Sequence, residues 1–324
     1  QIFFFPGARY SCLLQQYGPA MRNLLLELGK KHILVLTPSL EYIWKLVGFD
    51  GLKSLWQGLV AIDRLNKIAC HLRPYELHHG ETARAYKRGL KLIEDGLATD
   101  RLKANLAEIK ADFKNIKVRQ EDRPIIGVAG DIYTRQNYFA NNYLFERLEA
   151  LGCEVWPSPF IIEEVDFTFS RGLYETLSEG KLIHSLAYAG LNLIKERKRR
   201  EVQKKLEVTN LEIKEPDFKE LVKFTTTYLN YDNNQSLFLN VARMVDFARK
   251  GADGLINVIC FNCMLGLTSA AISSRIKSDF ENLPIPTLIY GETENSSANS
   301  RLEAFVEQVK ARYRKKKLNQ AVNP

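Results

Sequence analysis

Two of the chain's five cysteines lie close together in the stretch "GLINVICFNCMLG" (254–266). Cys260 falls inside an apolar run that is typical of a buried β-strand, and Cys263 follows just past the end of that run. A thiol at the start of the next helix is stabilised as a thiolate, the form that attacks disulfides and binds metals. We therefore expect Cys263 to be chemically active and Cys260 to be a small core residue.

A second loop thiol, Cys12, lies in "GARYSCLLQQYG" (7–18), directly after the strand-like run "IFFF". Cys70 and Cys153 are expected in the core. Two thiols are too few for a closed zinc or iron–sulfur site, which normally has three or four protein ligands. From the residues alone, the prediction is a pair of thiolates, Cys12 and Cys263, on strand-to-helix loops of separate domains.

Two further loops, 130–142 and 290–299, also follow strand-like runs and precede helical ones. Ligands of open parallel sheets bind outside the carboxyl ends of the strands, so these loops should border the same opening as Cys263. Asp131 and Glu292 are either acid–base groups or helix-capping and turn residues. The polar residues that we expect to line the opening are Asp131, Asn137, Asn141 and Glu292.

Strand-like and helical segments alternate along the chain, which predicts an α/β protein. We expect two Rossmann-like (flavodoxin-like) parallel-sheet domains with helical insertions and an active cleft between them. Residues 1–120 should form an N-terminal α/β domain with a helical layer. Residues 121–324 should form a doubly wound α/β domain, with a helical insert at about 168–235 and a helix predicted over 137–152.

The bulk composition favours a soluble globular protein in a reducing, cytoplasmic setting. Charged residues make up 26% of the chain, and the five cysteines are too scattered for a disulfide framework. An apolar run of about 18 residues, as a membrane span requires, does not occur. The chain begins without Met and partway along a strand-like run, so we expect it to be a fragment of a longer polypeptide.

The formal net charge of +8 is concentrated in "KERKRREVQKK" (195–205) and "KARYRKKK" (310–317). Both runs are typical of the ends of amphipathic helices, where cations complement the helix dipole. Neither a zinc-finger spacing nor an aromatic RNA-binding motif accompanies them. Nucleic-acid binding is therefore the weakest of the functional hypotheses, because it depends on charge alone.

Four motifs occur together in a fixed order: "RPYELHHGETARAY", "GVAGDIYTRQNYFANNYLFERLEALGCEVWPSPF", "GADGLINVICFNCMLG" and "IPTLIYGETENSSANSRLEAFVEQV". This set resembles the 2-hydroxyacyl-CoA dehydratase β-subunit superfamily. It is most similar to the branch called CoA protein activase, or the C-terminal part of large CoA-substrate-specific enzyme activases, to which double-cubane cluster proteins are related. The resemblance covers nearly the whole chain except the basic insert around 170–230.

The resemblance implies a 4Fe–4S cluster held by cysteines between Rossmann-like domains. "SCLLQQYG" aligns Cys12 with one family cysteine and "FNCML" aligns Cys263 with another, while a third would lie upstream of residue 1. The function implied is an iron–sulfur electron-transfer or reductase component that receives low-potential electrons from an ATP-hydrolysing activase domain or subunit. An acyl-CoA or another small molecule would be the substrate, and a homodimer or a heterodimer would fit this role.

The chain departs from the family pattern at both cysteine motifs. "LLQ" replaces the family's R-F-G after Cys12, and Leu265 replaces the proline that follows C-M. These changes keep a second hypothesis open, a non-catalytic binding or scaffolding module that retains the fold without a cluster. If the cluster is present, the sulfurs of Cys12 and Cys263 should lie within about 6–7 Å of each other, with Cys70 and Cys153 outside the cleft.

Overall fold

The computed structural model describes residues 2–4, 14–37, 40–208, 216, 218–291 and 298–322. The strands within these residues are β1 (Ile2–Phe4), β2 (Leu34–Leu36), β3 (Ile125–Gly130), β4 (Glu154–Pro157), β5 (Gly254–Cys260) and β6 (Thr287–Tyr290). The first helices are α1 (Leu14–Glu27), α2 (Leu40–Leu72), α3 (Glu81–Ala98), α4 (Leu102–Lys114), α5 (Ile132–Gln136) and α6 (Leu144–Ala150). They are followed by α7 (Ile162–Ser178), α8 (Leu182–Lys205), α9 (Phe218–Thr225), α10 (Gln235–Arg249), α11 (Met264–Asp279) and α12 (Ala298–Val322).

The four strands β3 to β6 form one fully parallel sheet in the order β4-β3-β5-β6. Apolar side chains alternate between its two faces, as a strand period of two requires. Ile126 and Val258 pack under α6 and α12 on one face, whereas Ala129 and Leu255 pack under α10 and α11 on the other. The predicted α/β class with a parallel sheet is therefore confirmed for this part of the chain.

The beginning of the chain also contains a strand–helix–strand unit. Strands β1 and β2 pair in parallel, with α1 between them in the sequence. This pair is the sheet that the structure describes before residue 120, and the rest of that region is helical. The described residues thus give a two-stranded parallel sheet followed by a helical layer.

The helical layer has its own core, built by α2, α3 and α4 together with the insert. Leu65 and Phe113 are fully buried there, beside Val202 near the end of α8 and Leu206 just after it. The Trp56 indole N–H donates to the carbonyl of Lys195 at 2.9 Å, which joins α2 to α8. The insert is helical, as predicted, and it packs against the helical layer of residues 1–120.

The helix predicted over 137–152 is wrong in its first half, because α6 begins only at Leu144. Asn142 and Tyr143 both adopt left-handed backbone conformations with φ near 52°, which a continuous α-helix does not allow. The apolar spacing of this segment is helical, but its asparagines favour turns. The result is a seven-residue connection between α5 and α6 at the edge of the sheet.

Among the described helices, none combines the length and the apolar character that crossing a membrane requires.

Candidate thiol site at the carboxyl edge of the sheet

The chain leaves the sheet in opposite directions from β3 and β5, so the crevice between their carboxyl ends is the position where open α/β sheets bind ligands. Gly130 makes the close approach of the two strands possible. It has φ 126°, and a Cβ there would lie 1.9 Å from the carbonyl oxygen of Val258. The next N–H, from Asp131, donates to that same oxygen at 2.7 Å. The loops after β3 and β5 therefore start side by side.

Cys263 lies at the N-terminus of α11, as the sequence predicted. It is the N-cap residue, and its Sγ accepts a hydrogen bond from the N–H of Gly266 at 3.4 Å. Gly266 lets the first turn of α11 contact β5 closely, since a Cβ at this position would lie 2.7 Å from Cβ of Ile259. The position of the Cys263 thiol is thus fixed by both a hydrogen bond and the packing of the helix start.

The expectation that Cys260 points into the sheet core is wrong. Cys260 is only half-buried, and Cys263 lies directly across the turn, its N–H donating to the carbonyl of Cys260 at 3.2 Å. Burial, then the negative charge of Asp131 and the neighbouring Cys263, raise the pKa of the Cys260 thiol to about 12. The spacing of the two cysteines was the available signal, because residues i and i+3 meet across a tight turn at the end of a strand.

Asp131 lies beside these thiols, but its carboxylate already has partners. Its Oδ1 accepts hydrogen bonds from the N–H and the hydroxyl of Thr134, both at 2.7 Å. Asp131 is therefore the N-cap of α5, the second of the two roles that the sequence left open. Its negative charge helps to raise the pKa of Cys260, and its Oδ1 is already occupied by Thr134.

The two asparagines that were predicted to line the opening form hydrogen bonds with the backbone instead. Asn141 is buried, and its amide joins the carbonyl of Arg135 to the N–H of Leu144, at 3.1 Å each. The prediction that Asn141 lines the opening is therefore wrong. Asn137 is half-buried, and its Oδ1 accepts from the N–H of Ala140 at 3.0 Å. Cys12 and Glu292 lie outside the described residues.

Sequence reasoning missed Arg135, which joins the ends of β3 and β4. Its buried guanidinium donates to the carbonyls of Gly130 and Pro159, each at 2.5 Å. Burial holds the pKa of Arg135 below its usual value, with nearby carboxylates opposing the shift. Asp63 of α2 accepts from the N–H of Phe160 at 3.1 Å, so α2 covers the carboxyl end of β4. A ligand would therefore reach the carboxyl edge of the sheet beside β5 rather than beside β4.

The turn with the thiol pair and the loop after β3 both carry exposed apolar side chains. Phe261 and Met264 are 68% and 66% exposed, and they flank Cys263 in the sequence. The loop after β3 contributes Phe139, which is 89% exposed, together with Tyr133 and Tyr143. Side chains of this kind at one edge of a protein are usual where another molecule binds.

The amino edge of the same sheet carries a different arrangement. Buried Glu154, at the start of β4, interacts with His71 Nδ1 at 2.8 Å and accepts from the Tyr75 hydroxyl at 2.7 Å and the Trp156 indole at 3.0 Å. Burial, and then the charge of Glu154, raise the pKa of the Tyr75 hydroxyl above its usual value. His71, Tyr75 and Glu154 border a cavity of about 500 Å³. Because residues 71 and 154 are distant in sequence, no local pattern indicated this cluster.

The described thiols fit one part of an iron–sulfur ligand set. Cys263 offers a partly exposed, soft sulfur donor with a backbone N–H directed at it, as cluster ligands commonly have. Across the described ranges, His, Cys, Asp and Glu side chains do not come together in any group of three that could hold a metal ion. A cluster at this edge would therefore need further ligands, for which Cys12 is the sequence candidate.

Comparison with known proteins gives no match to a family model, to a curated protein or to a solved structure. The resemblance to the 2-hydroxyacyl-CoA dehydratase superfamily therefore stays a prediction that depends on the quoted motifs.

Proposed function

We propose that this chain is an iron–sulfur electron-transfer or reductase component of the 2-hydroxyacyl-CoA dehydratase/activase type. The observation that supports it best is the position of Cys263, whose thiol lies at the start of α11 beside the β3–β5 crevice. Cys263 and Cys12 would each donate a thiolate, and the remaining ligands would come from outside the described residues. A 4Fe–4S cluster bound there would supply one-electron storage at low potential.

The residues around Cys263 suit this role in three ways. The N–H of Gly266 stabilises negative charge on Sγ, in the manner of the backbone donors that tune cluster potentials. Arg135 fixes the loop after β3 through its hydrogen bonds to backbone carbonyls, and this loop borders one side of the crevice. The exposed Phe261 and Met264 provide an apolar surface for a docking partner, which in this proposal is the ATP-hydrolysing activase.

The experiment is to purify the full-length gene product without oxygen and to measure iron, acid-labile sulfide and absorption near 400 nm. We expect bound iron in the parent protein and its loss in Cys12→Ser and in Cys263→Ser. Cys153→Ala, which changes a buried thiol, is the matched control and should retain the iron. Iron retained undiminished in Cys263→Ser would overturn the proposal.

A non-catalytic binding module is the second candidate, and Leu265 favours it. Leu265 replaces the proline of the family motif and packs against the core beneath α10 and α11. This contact stabilises the helix start without requiring a cluster. Protein that remains free of iron after anaerobic purification and after reconstitution with ferrous iron and sulfide would support this candidate over the first.

A further inference from the structure

The turn that joins β5 to α11 brings two cysteines within the Cα separation that a disulfide requires. The N–H of Cys263 donates to the carbonyl of Cys260 at 3.2 Å, which closes a β-turn over the two residues between them. Asn262 has φ 58°, as the third residue of several turn types requires. The first and fourth Cα atoms of such a turn are less than about 7 Å apart. Disulfides join Cα atoms about 4.4–6.8 Å apart, so the backbone meets this requirement.

The two side chains are also close enough to interact, because the neighbouring Cys263 helps to raise the pKa of the Cys260 thiol. Both thiols are free and partly exposed, whereas Cys70 and Cys153 are free and buried. The intervening Phe261 is 68% exposed, so the turn protrudes from the protein surface. A disulfide reagent can reach this pair and cannot reach the other two described cysteines.

We infer that Cys260 and Cys263 form a reversible dithiol–disulfide pair that exchanges with small-molecule disulfides of the glutathione type. Cys263, as thiolate, attacks one sulfur of the disulfide RSSR, forming a Cys263–SR bond and releasing RS⁻. Cys260 then loses its proton to solvent and attacks Sγ of Cys263, which releases the second RS⁻. Two electrons pass from the two cysteine sulfurs to RSSR, and the released thiolates take up two protons.

This inference does not rest on the proposed electron-transfer function, because it concerns the protein without iron. The two are connected by one consequence. In the disulfide form Cys263 has no thiolate to donate, so oxidation of the pair would exclude it from binding a metal. The redox state of the pair would then control whether Cys263 at the carboxyl edge can bind a metal.

The experiment is to incubate iron-free, fully reduced protein in glutathione buffers of increasing disulfide content and to quench with acid. Free thiols are then alkylated, and the tryptic peptide 251–275, which contains both cysteines and ends at Arg275, is weighed. We expect its two alkyl labels to fall to none, with the loss of two hydrogen atoms and no glutathione adduct. Cys70 and Cys153 should keep their labels throughout, because both are buried in the fold.

Single variants test the exchange step. Cys260→Ser and Cys263→Ser should each accumulate a glutathione adduct on the remaining thiol, since no second cysteine is there to displace it. Cys12→Ser should form the 260–263 disulfide as the parent does. A parent peptide that keeps both labels or carries glutathione would overturn the inference. A Cys12–Cys263 disulfide would also overturn it, while supporting the shared Cys12–Cys263 site of the proposed function.

Discussion

The two edges of the four-stranded sheet use polar side chains in opposite ways. At the amino edge, buried Glu154 is surrounded by donors, and buried Asp253 accepts from the N–H of Ile125 at 2.9 Å and from Lys316 at 3.3 Å. At the carboxyl edge, the thiols of Cys260 and Cys263 are partly exposed, and the exposed Phe261 lies between them in the sequence. The amino edge thus satisfies its charges internally, whereas the carboxyl edge presents reactive groups to solvent.

The difference shows how one sheet separates stability from chemistry. Buried charged groups need partners, because an unpartnered one costs several kcal/mol (about 3–5 when one member of a pair is removed). A reactive thiol needs the opposite, namely access from solvent together with a fixed position. At the carboxyl edge the N–H of Gly266 and the packing of the helix start fix the Cys263 thiol, while Arg135 joins the ends of β3 and β4 through backbone carbonyls. Substitutions at the two edges should therefore change the free energy of unfolding independently of each other.

The largest effect is expected from Gly130→Ala, which forces the ends of β3 and β5 apart. A Cβ at Gly130 would lie 1.9 Å from backbone oxygen of Val258, and backbone cannot move aside as a flexible side chain can. We expect a loss of about 3 kcal/mol or more in the free energy of unfolding, measured by urea denaturation. Gly190→Ala in α8 is the control. Its Cβ would meet nothing within 4 Å, so stability should stay equal or rise by up to about 1 kcal/mol.

If Gly130→Ala and Gly190→Ala changed the free energy of unfolding by the same amount, the close approach of β3 and β5 at Gly130 would be contradicted.

An intermediate effect is expected at high pH from Cys153, which directly precedes β4 at the amino edge. Burial raises the pKa of this thiol to about 11 from an ordinary value of 9.0. Because the unfolded chain ionises first, the stability contributed by the neutral thiol is complete below pH 9 and is lost as pH rises towards 11. The loss should reach about 2–3 kcal/mol, at about 1.36 kcal/mol for each pKa unit.

Cys153→Ala removes this titration, so the measurement is the difference between parent and variant in unfolding free energy at several pH values. The difference should shift in favour of the variant between pH 9 and 11. Buried tyrosines titrate in both proteins and cancel in this comparison. A difference that stays constant over the whole range would show that the thiol is not desolvated by the fold.

The smallest effect is expected from Phe261→Ala at the carboxyl edge. This side chain is 68% exposed, so its removal should change the unfolding free energy by no more than about 0.5 kcal/mol. Phe145→Ala is the matched control within the core, where the side chain is 2% exposed, and it should cost about 3–5 kcal/mol. A large loss in Phe261→Ala would mean that this residue stabilises the fold rather than serving a binding surface.

The sequence by itself determined the elements that depend on local pattern. Continuous apolar runs predicted β3, β5 and β6, because strands covered on both faces of a parallel sheet bury successive residues. The position of Cys263 at the start of α11 was predictable for the same reason, since it follows a strand and precedes a helix. The helical character of the insert was also correctly predicted.

Only the tertiary structure decided which groups the edges bring together. Cys260 was expected in the core from its place in an apolar run, yet it is the last residue of β5, where the turn to Cys263 begins, and it is only half-buried. Asn141 was expected to line the opening and Arg135 was not singled out, but buried backbone groups nearby need partners and both side chains supply them. The pairing of His71 with Glu154 depends on α2 crossing β4, a contact between residues distant in sequence that no local pattern encodes.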